Sequence, residues 1–429
     1  MDAKNVHPQS DFMQNIIKNG LYNNSTNQHD IDQKLLKKEI ITYVGFDLTA
    51  YGLHIGHLMS LMLLKKLIAT GNKCIIILGG ATTYIGDPSG KTEMRKMLSP
   101  EGIKNNKKGI CGDILRILLE TNEPQNIDID LDNEIVFKNE NITILDNYYW
   151  LKQLNYIDLL RQIGPYFSIN KMIKADSVES RLNSQQSLSF LEFNYPILQA
   201  YDFYHLAKNY GCNCEFGGSD QWGNILRGVE LVDNLLSKKV YGLTTPLVTT
   251  ADGKKMGKSE NGAVWLNPEL LDDQKYWQYF RNVHDKDVEK FFHIFTNLSQ
   301  QEIDEVLEKD INSQKEHLAT TTTSICRGHK EATNAMQKTK QAFCGEVKSE
   351  PDYIVEPDVV LSEIIQNFNI ANAKSKSDIR RLVSSNGIKI DNVPVQNIND
   401  KICDATSKSI FNIKIGKKNV YTIEIKAKN

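Results

Sequence analysis

Hydrophobic residues in the first part of the chain alternate between two spacings. The run "ITYVGFD" at 41–47 is β-branched and aromatic, and "KCIIILGG" at 73–80 is apolar almost throughout. Between them, "GLHIGHLMSLMLLKKLIATG" at 52–71 has the composition of a buried helix and ends at Gly71, which suits a helix terminus. Similar alternation continues to about residue 248. Strands that alternate with helices predict an α/β fold with a parallel sheet, whose central strands are buried on both faces.

The remainder of the chain shows two further patterns. Residues 266–345 have helical spacing throughout, and the polar, proline-containing segment around 346–358 predicts a linker. Residues 359–429 are short and basic, with two predicted helices followed by hairpin-like strands. The sequence therefore predicts an all-α region and a small α+β domain after the α/β region. Residues 1–38 are expected to form a helical segment that packs on the α/β region.

Composition limits the class of protein. The chain has 429 residues, 40% hydrophobic and 24% charged, and a formal net charge of −2, so it is not a globally basic nucleic-acid binder. Its seven cysteines are scattered without a C-x-x-C pair, which indicates reduced thiols rather than a disulfide framework or zinc site. No signal peptide, transit peptide or membrane-length apolar run is visible, so we expect a cytoplasmic protein without membrane contact.

Two histidines stand three residues apart at the start of the predicted helix. His54 and His57 flank Gly56, and they share one face of the first turn. A metal site of this type needs two histidines at i and i+4 with a glutamate, which are absent. Two buried core histidines are the serious alternative. Because a helix N-terminus attracts anions and Gly56 allows close backbone approach, we favour a phosphate site.

A second segment supports this interpretation. "DGKKMGKSENG" at 252–262 places Lys255 and Lys258 among three glycines. Two ammonium groups on a mobile loop suit a departing pyrophosphate, although most lysine pairs simply belong to a solvated surface.

These motifs resemble the two signatures of class I aminoacyl-tRNA synthetases. "HIGH" stands at 54–57, and "KMGKS" at 255–259 has Gly257 where serine is commonest. Further segments resemble bacterial-type tyrosyl-tRNA synthetases: "YVGFDLTA", "LGGATTYIGDPSGK", "FLEFNYPILQAYDF" and "GGSDQWGNI". The resemblance covers nearly the whole chain.

The resemblance implies a domain plan. It consists of a Rossmann-like catalytic domain at 39–265 with a dimerisation insertion at about 125–195 and the lysine loop at 253–262. A helical anticodon-binding domain follows at 266–345, and an S4-like RNA-binding domain at 359–429. It also implies a homodimer that charges tRNA(Tyr) with L-tyrosine. ATP is the second substrate and arrives with Mg²⁺; no dedicated metal cage and no tightly bound cofactor are expected. The segment "YYWLKQLNYIDLL" and Phe190 are candidates for the dimer interface, although a core helix would look alike.

The resemblance also implies residue roles. The expected tyrosine-binding residues are Tyr43, Asp87, Tyr195, Gln199 and Asp202, with Tyr43 and Asp202 at the phenol and the others at the ammonium group. The expected residues at the phosphates are Thr49, His54, Lys91, Arg95, Lys255 and Lys258, with His57 at a phosphate or at the ribose nearby. The expected nucleotide or adenylate contacts are Asp47, Gly56, Asp220, Gln221 and Lys258, the role of Asp47 being undefined. Tyr195, Gln199 and Asp202 have helical spacing and can share one face.

Some positions depart from the family, and the tail is basic. Thr83 replaces a usual glycine, and Glu215 a usual glutamine, which adds a carboxylate beside the pocket. Clustered basic residues in the tail suit RNA phosphates, or alternatively a solubilising surface. The RNA-binding candidates are Arg380, Arg381, Lys389, Lys417 and Lys418, with Lys374, Lys376 and Lys414 nearby.

Three rival functions stay open on the sequence alone. A tryptophanyl-tRNA synthetase shares the fold but has no use for Asp202 against a phenol. Another nucleotidyltransferase can carry H-x-G-H, yet it does not need the helical region and the tail. A synthetase-derived RNA-binding factor without catalysis does not require His54, His57 and the loop lysines.

Overall fold

The structure is a computed structural model. It describes residues 7–87, 98–183, 187–253, 256, 258–259, 262–344, 351–367, 375–391, 393–402, 406, 408–416 and 419–426. The chain divides into two compact units, Met1–Ala332 and Thr333–Asn429.

The first unit is built on a seven-stranded sheet. Its strands are β1 (Asn24–Ser25), β2 (Ile41–Asp47), β3 (Lys73–Gly79), β4 (Ile135–Lys138), β5 (Ile142–Asp146), β6 (Cys214–Gly218) and β7 (Tyr241–Thr245). Their spatial order is β1-β7-β6-β2-β3-β5-β4; the five central strands are parallel, while β1 and β4 pair antiparallel at the edges. This confirms the predicted α/β class with a parallel sheet. A separate two-stranded ribbon consists of β8 (Lys258–Ser259) and β9 (Gly262–Ala263).

The helices that begin in the first unit fall into three groups along the chain. From the start of the chain to the edge strand β4 they are α1 (Asp11–Lys18), α2 (Gln28–Leu36), α3 (Ile55–Ala69), α4 (Thr82–Ile85) and α5 (Pro100–Leu119). Between β5 and β7 they are α6 (Tyr148–Leu151), α7 (Tyr156–Gln162), α8 (Ile169–Ile173), α9 (Asp176–Asn183), α10 (Phe190–Asn209) and α11 (Trp222–Leu236). After the ribbon come α12 (Asp273–Arg281), α13 (Val288–Phe295), α14 (Gln300–Leu307), α15 (Ile311–Arg327) and α16 (His329–Cys344), which continues into the second unit. Short 3-10 helices occupy Pro124–Asn126, Gly164–Tyr166, Ser219–Gln221 and Asp285–Asp287.

The core explains the first elements. In β3 every residue after Lys73 is buried, because β2 and β5 flank it, α3 contacts it, and Ile75 and Ile77 pack in one cluster with residues of α10. Helix α3 contacts α5 and α13 and buries most of its residues, which explains its apolar composition all round. This helix begins at Ile55 rather than at 52, because His54 is extended (φ −109°, ψ 170°) and forms the N-cap.

The second unit has its own sheet and core. Its elements are β10 (Tyr353–Val355), α17 (Leu361–Asn367), α18 (Lys376–Ser384), β11 (Ile388–Ile390), β12 (Val393–Pro394), β13 (Ile410–Ile415) and β14 (Asn419–Ile425). The strand order is β10-β14-β13-β11-β12, with β10 parallel to β14 and the other pairs antiparallel. Isoleucines of the strands and of both helices form one buried cluster around Phe411.

Within the described parts of the chain, no helix combines the length and the apolarity needed to cross a bilayer.

Candidate active site

A cavity of about 960 Å³ lies at the carboxyl ends of β2, β3 and β6. The first strand of the parallel set, β2, has β3 on one side and β6 on the other, and ligands of open α/β sheets bind at such a reversal of strand order. The predicted residues that line this cavity are Tyr43, Asp47, Thr49, His54, Gly56, His57, Asp87, Tyr195, Gln199, Asp202, Asp220 and Gln221. The fold therefore brings together residues that are far apart in sequence.

The two histidines form a stacked pair at the start of α3. Their rings lie 3.9 Å apart between centroids, at an interplanar angle of 18°. The His54 Nδ1 accepts a hydrogen bond from the Gly56 amide at 3.1 Å, and the His57 Nδ1 accepts from the His54 amide at 3.2 Å. Because both Nδ1 atoms are acceptors, a neutral ring carries its proton on Nε2. Each histidine thus combines a capping function with an Nε2–H that can donate to an anion.

Gly56 is required by the position of the His54 ring. A Cβ at residue 56 would lie 2.8 Å from the His54 Cε1 and 3.4 Å from the Met256 carbonyl oxygen. The sequence predicts that this glycine allows a ligand to approach the backbone closely. The structure gives another reason, because the imidazole itself folds over the glycine.

The carboxylate of Asp202 is buried at one end of the cavity. Its Oδ2 accepts from the Asn147 Nδ2 at 2.9 Å, and its Oδ1 accepts from the Trp150 Nε1 at 2.7 Å. Burial raises the pKa of Asp202 to about 8, although the two donated hydrogen bonds lower it. Sequence reasoning missed Asn147 and Trp150 as site residues, since they follow β5 and only the fold brings them to α10.

Tyr43 and Glu215 lie beside Asp202 on adjacent strands. They are paired in the register of β2 with β6, and both are buried. The Tyr43 hydroxyl interacts with the Glu215 carboxylate, but neither the hydroxyl nor the Glu215 Oε2 makes a hydrogen bond of good geometry within the described residues. Burial and the nearby Glu215 carboxylate raise the pKa of Tyr43 well above its usual value, so its hydroxyl stays protonated. Burial also raises the pKa of Glu215 to about 7.

Side-chain amides connect Glu215 to Asp87 across the cavity wall. The Gln199 Nε2 donates to the Glu215 Oε1 at 2.9 Å and to the Gln221 Oε1 at 3.3 Å. The Gln221 Nε2 in turn donates to the Asp87 Oδ2 at 2.9 Å. Asn224, which sequence reasoning missed, donates to both glutamine carbonyls at 2.9 and 3.3 Å. Gln199 and Gln221, to which we gave separate roles, thus belong to one network.

The loop after β2 is held by two threonines. The Thr82 hydroxyl donates to the Asp47 Oδ1 at 3.1 Å. The Thr83 hydroxyl accepts from the Leu48 amide at 2.7 Å and is buried. The threonine at residue 83, where the family usually has glycine, therefore has a structural function. It supplies a hydrogen-bond acceptor beneath the loop that carries Thr49.

Other predicted residues are only partly described. Lys91, Arg95, Lys255, Lys417 and Lys418 lie outside the described residues; Lys258 belongs to β8, but its side chain is not described. In the second unit, Arg380 and Arg381 are exposed on α18. Lys389 on β11 is half-buried and lies opposite Lys414 on β13.

Among the described residues, no group of three or more histidines, cysteines, aspartates or glutamates is placed to hold a metal ion.

Comparison with known proteins identifies the class. The family model described as class I tRNA synthetases (W and Y) matches residues 35–344, which include the parallel sheet and the cavity. The chain belongs to this class of synthetases.

Individual relatives narrow the assignment. The tyrosine–tRNA ligase of Pelagibacter ubique (strain HTCC1062) is 40% identical over 96% of this chain and 99% of its own length. That of Wolbachia sp. subsp. Brugia malayi (strain TRS) is 41% identical over 96% of this chain and 97% of its own. The crystal structure of a C-terminally truncated mitochondrial tyrosyl-tRNA synthetase from Aspergillus nidulans is 28% identical, covers 78% of this chain and 94% of its own, and has a TM-score of 0.66. Within the class, the chain belongs to the bacterial-type tyrosyl-tRNA synthetases.

Proposed function

We propose that this protein is a tyrosine–tRNA ligase that uses the cavity at the ends of β2 and β6. The tyrosine carboxylate attacks the α-phosphate of ATP, which gives tyrosyl-adenylate and pyrophosphate. The 3′-terminal adenosine of tRNA(Tyr) then accepts the tyrosyl group and releases AMP. The observation that carries the proposal is the buried Asp202 carboxylate, which two donors orient beside the Tyr43 hydroxyl, a group without a hydrogen bond of good geometry within the described residues.

The phenol of tyrosine fits this end of the cavity. Its hydroxyl donates to Asp202 and accepts from the Tyr43 hydroxyl, so that each group gains a partner. Phenylalanine would leave both groups desolvated and unpaired. Leaving buried polar groups unpaired is the most effective way for a site to reject a substrate that lacks one hydroxyl, and tyrosyl-tRNA synthetases are the standard example of this discrimination.

The ammonium group of the substrate is assigned to the amide network. Asp87 supplies a negative charge and is connected to Gln199 through the Gln221 amide, and Gln199 and Tyr195 supply neutral oxygens at the cavity. Tyr195 and Gln199 lie one turn apart on α10, whose next turn carries Asp202. One helix thereby sets the distance between the ammonium and phenol positions.

The phosphates of ATP are assigned to the histidine end of the cavity. Nε2–H groups of His54 and His57 and the hydroxyl of Thr49 donate there, at the positive end of α3. Lys91, Arg95, Lys255 and Lys258 supply further positive charge, while Asp47, Gly56, Asp220 and Gln221 contact the nucleotide. Catalysis then consists of positioning and of charge stabilisation on the leaving pyrophosphate, without a protein nucleophile. Mg²⁺ enters on the ATP phosphates, where it neutralises charge.

The remaining assignments concern the whole protein. The regions 266–345 and 359–429 contact tRNA(Tyr), the latter through Arg380, Arg381, Lys389, Lys417 and Lys418. The protein acts as a cytoplasmic homodimer through the insertion at about 125–195. The relatives' common name and the cavity support the activity; the basic, exposed α18 supports the RNA assignment.

ATP–pyrophosphate exchange without tRNA tests the proposal. We expect exchange with tyrosine and not with phenylalanine or tryptophan. His54→Asn should keep the helix cap, because asparagine is a good N-cap residue, but lose the Nε2 donor. Exchange should fall at least about tenfold in this variant while the thermal stability stays near that of the wild type.

Two other results would redirect the assignment. Exchange with tryptophan would change the assigned amino-acid substrate from tyrosine to tryptophan and would leave the proposed activation mechanism unchanged. Folded protein that binds RNA but exchanges with no amino acid would favour the non-catalytic RNA-binding factor.

A further inference from the structure

We infer that Glu215 is a positioning residue for tyrosine, and that its ionised carboxylate, acting through the amide of Gln199, strengthens binding of the substrate's ammonium group. The inference rests on the proposed function, because it uses Gln199 as an ammonium acceptor.

Glu215 is built into the wall of the cavity. It lies on β6, is 3% exposed and pairs in register with Tyr43 on β2. One carboxylate oxygen accepts from the Gln199 Nε2 at 2.9 Å, whereas the other interacts with the Tyr43 hydroxyl without a hydrogen bond of good geometry. A buried carboxylate whose hydrogen bonds are incomplete calls for a functional reason.

The carboxylate determines how the Gln199 amide points. An ionised carboxylate only accepts hydrogen bonds, so the Gln199 NH₂ must face Glu215 and its carbonyl must point away. Asp87 fixes the Gln221 amide in the same manner at the other end of the network. The Gln199 carbonyl receives one donor, from Asn224, so its second lone pair can accept from an ammonium group, whereas the Gln221 carbonyl already receives donors from both Gln199 and Asn224. A glutamine at residue 215 would accept or donate and would leave this polarity undetermined.

Protonation of Glu215 weakens the arrangement in either of two ways. If the proton is on Oε1, the O–H and the Gln199 NH₂ face each other as two donors, and the amide must turn its NH₂ toward the ammonium position. If the proton is on Oε2, it can donate to the Tyr43 oxygen, and only the negative charge beside Gln199 is lost. Both states bind an ammonium group less well than the ionised state.

The surroundings of Glu215 place the protonation of its carboxylate in the neutral pH range. The titratable groups that face it are Tyr43 from β2, Asp202 from α10, and the thiols of Cys212 and Cys214 beside it in the chain. The partner of Glu215 on β7 is Gly242, which has no side chain. Burial raises the pKa of Glu215 to about 7 and that of Asp202 to about 8, and it keeps the thiols and Tyr43 neutral.

Two ligands that differ only in the ammonium group test the inference. In the exchange assay, KM is measured for L-tyrosine and the inhibition constant for 3-(4-hydroxyphenyl)propanoate, from pH 6 to pH 8. Both ligands carry the phenol, so titration of Asp202 affects both constants and cancels when KM for tyrosine is divided by the inhibition constant for the propanoate. We expect this ratio to fall about tenfold in the wild type between pH 6 and pH 8, because Glu215 ionises and only its ionised form binds the ammonium group well.

The matched variant is Glu215→Gln, which keeps the size of the side chain and an acceptor for Gln199. We expect its ratio to stay constant with pH. A purely structural role of Glu215 would change stability or both constants together, but not their ratio as a function of pH. Calorimetry of the wild type adds a readout without turnover: tyrosine binding at pH 7 should release a fraction of a proton that the propanoate does not release.

The outcomes separate this inference from the proposed function. Two results with tyrosine-dependent exchange intact would overturn the role of Glu215 alone. One is the same change of the ratio with pH in the wild type and in Glu215→Gln, and the other is no change in the wild type. Absence of tyrosine-dependent exchange at every pH would instead contradict the proposed function.

Discussion

At the scale of single residues, the site depends on polar groups that orient other polar groups. Asp202 is held by Asn147 and Trp150, and Gln199 is held by Glu215 and Asn224. None of these orienting residues belongs to a motif with a periodic signal. The sequence could identify Asp202 and Gln199 through family resemblance and helical spacing, but not the partners that the fold brings from other elements.

Replacing Trp150 with phenylalanine tests this arrangement. The variant keeps an aromatic ring but removes the Nε1–H that donates to Asp202 at 2.7 Å. Since a hydrogen bond to a charged group contributes about 1.5–3 kcal/mol, the pKa of Asp202 should rise further and its protonated fraction at pH 7.5 should grow. We expect KM for tyrosine to increase roughly tenfold in the exchange assay.

Trp277 provides the control for this variant. Its Nε1 donates to the Thr320 hydroxyl at 3.0 Å, within the helices after the ribbon. Trp277→Phe should lower thermal stability and leave KM for tyrosine unchanged. An equal effect of both variants on KM would show that Trp150 acts through general stability and not through Asp202.

At the scale of elements, hydrophobic spacing predicted two of the central strands, β2 and β3. The strand at 41–47 agrees with β2, and that at 73–80 ends one residue later than β3. Buried parallel strands have a strong apolar signal because both of their faces are covered. The antiparallel edge strands β1 and β4 are short and half-exposed, with no such signal, and were not predicted.

The start of α3 is a helix boundary that hydrophobic spacing did not predict correctly. The helix begins three residues later than predicted, because the His54 side chain caps it and the His57 side chain accepts from the His54 amide. A histidine is an uncommon N-cap residue, so sequence rules based on Ser, Thr, Asp and Asn did not find this boundary.

Gly56→Ala should disrupt this terminus. The new Cβ would lie 2.8 Å from the His54 Cε1, so the imidazole must move away from His57 and from its position at the cavity. Because a displacement of about 1 Å at a reacting centre can cost about 100-fold in rate, we expect a loss of that order in exchange, with KM for tyrosine little changed.

Gly112→Ala, in the middle of α5, is the matched control. No heavy atom lies within 4 Å of a Cβ added there, and alanine favours a helix over glycine by up to about 1 kcal/mol. We expect normal exchange and a slightly higher melting temperature. Full exchange activity in Gly56→Ala would mean that the position of the His54 ring does not matter for the reaction.

At the scale of the whole molecule, the first unit exposes apolar side chains over one stretch of the chain. The exposed large residues between α6 and the start of α10 include Tyr148, Tyr156, Ile157, Leu160, Tyr166, Ile169, Ile173, Leu182, Phe190 and Leu191. Elsewhere in the described chain such residues occur singly or far apart in sequence. A concentration of this kind is typical of a protein–protein interface, and it falls within the insertion that the sequence assigned to dimerisation.

Sedimentation of a charged double variant tests that assignment. Ile157 is 66% exposed and Phe190 is 69% exposed, so aspartate at both positions leaves the core of the subunit intact. In a dimer interface, however, the same substitutions bury unpaired charge, which is strongly unfavourable. We expect the wild type to sediment as a dimer and Ile157→Asp/Phe190→Asp as a folded monomer. Leu36→Asp, at a 46% exposed position on α2 outside this stretch, should remain dimeric. A monomeric wild type, or a double variant that stays dimeric, would exclude these residues from the interface and leave their exposure to be explained by another partner.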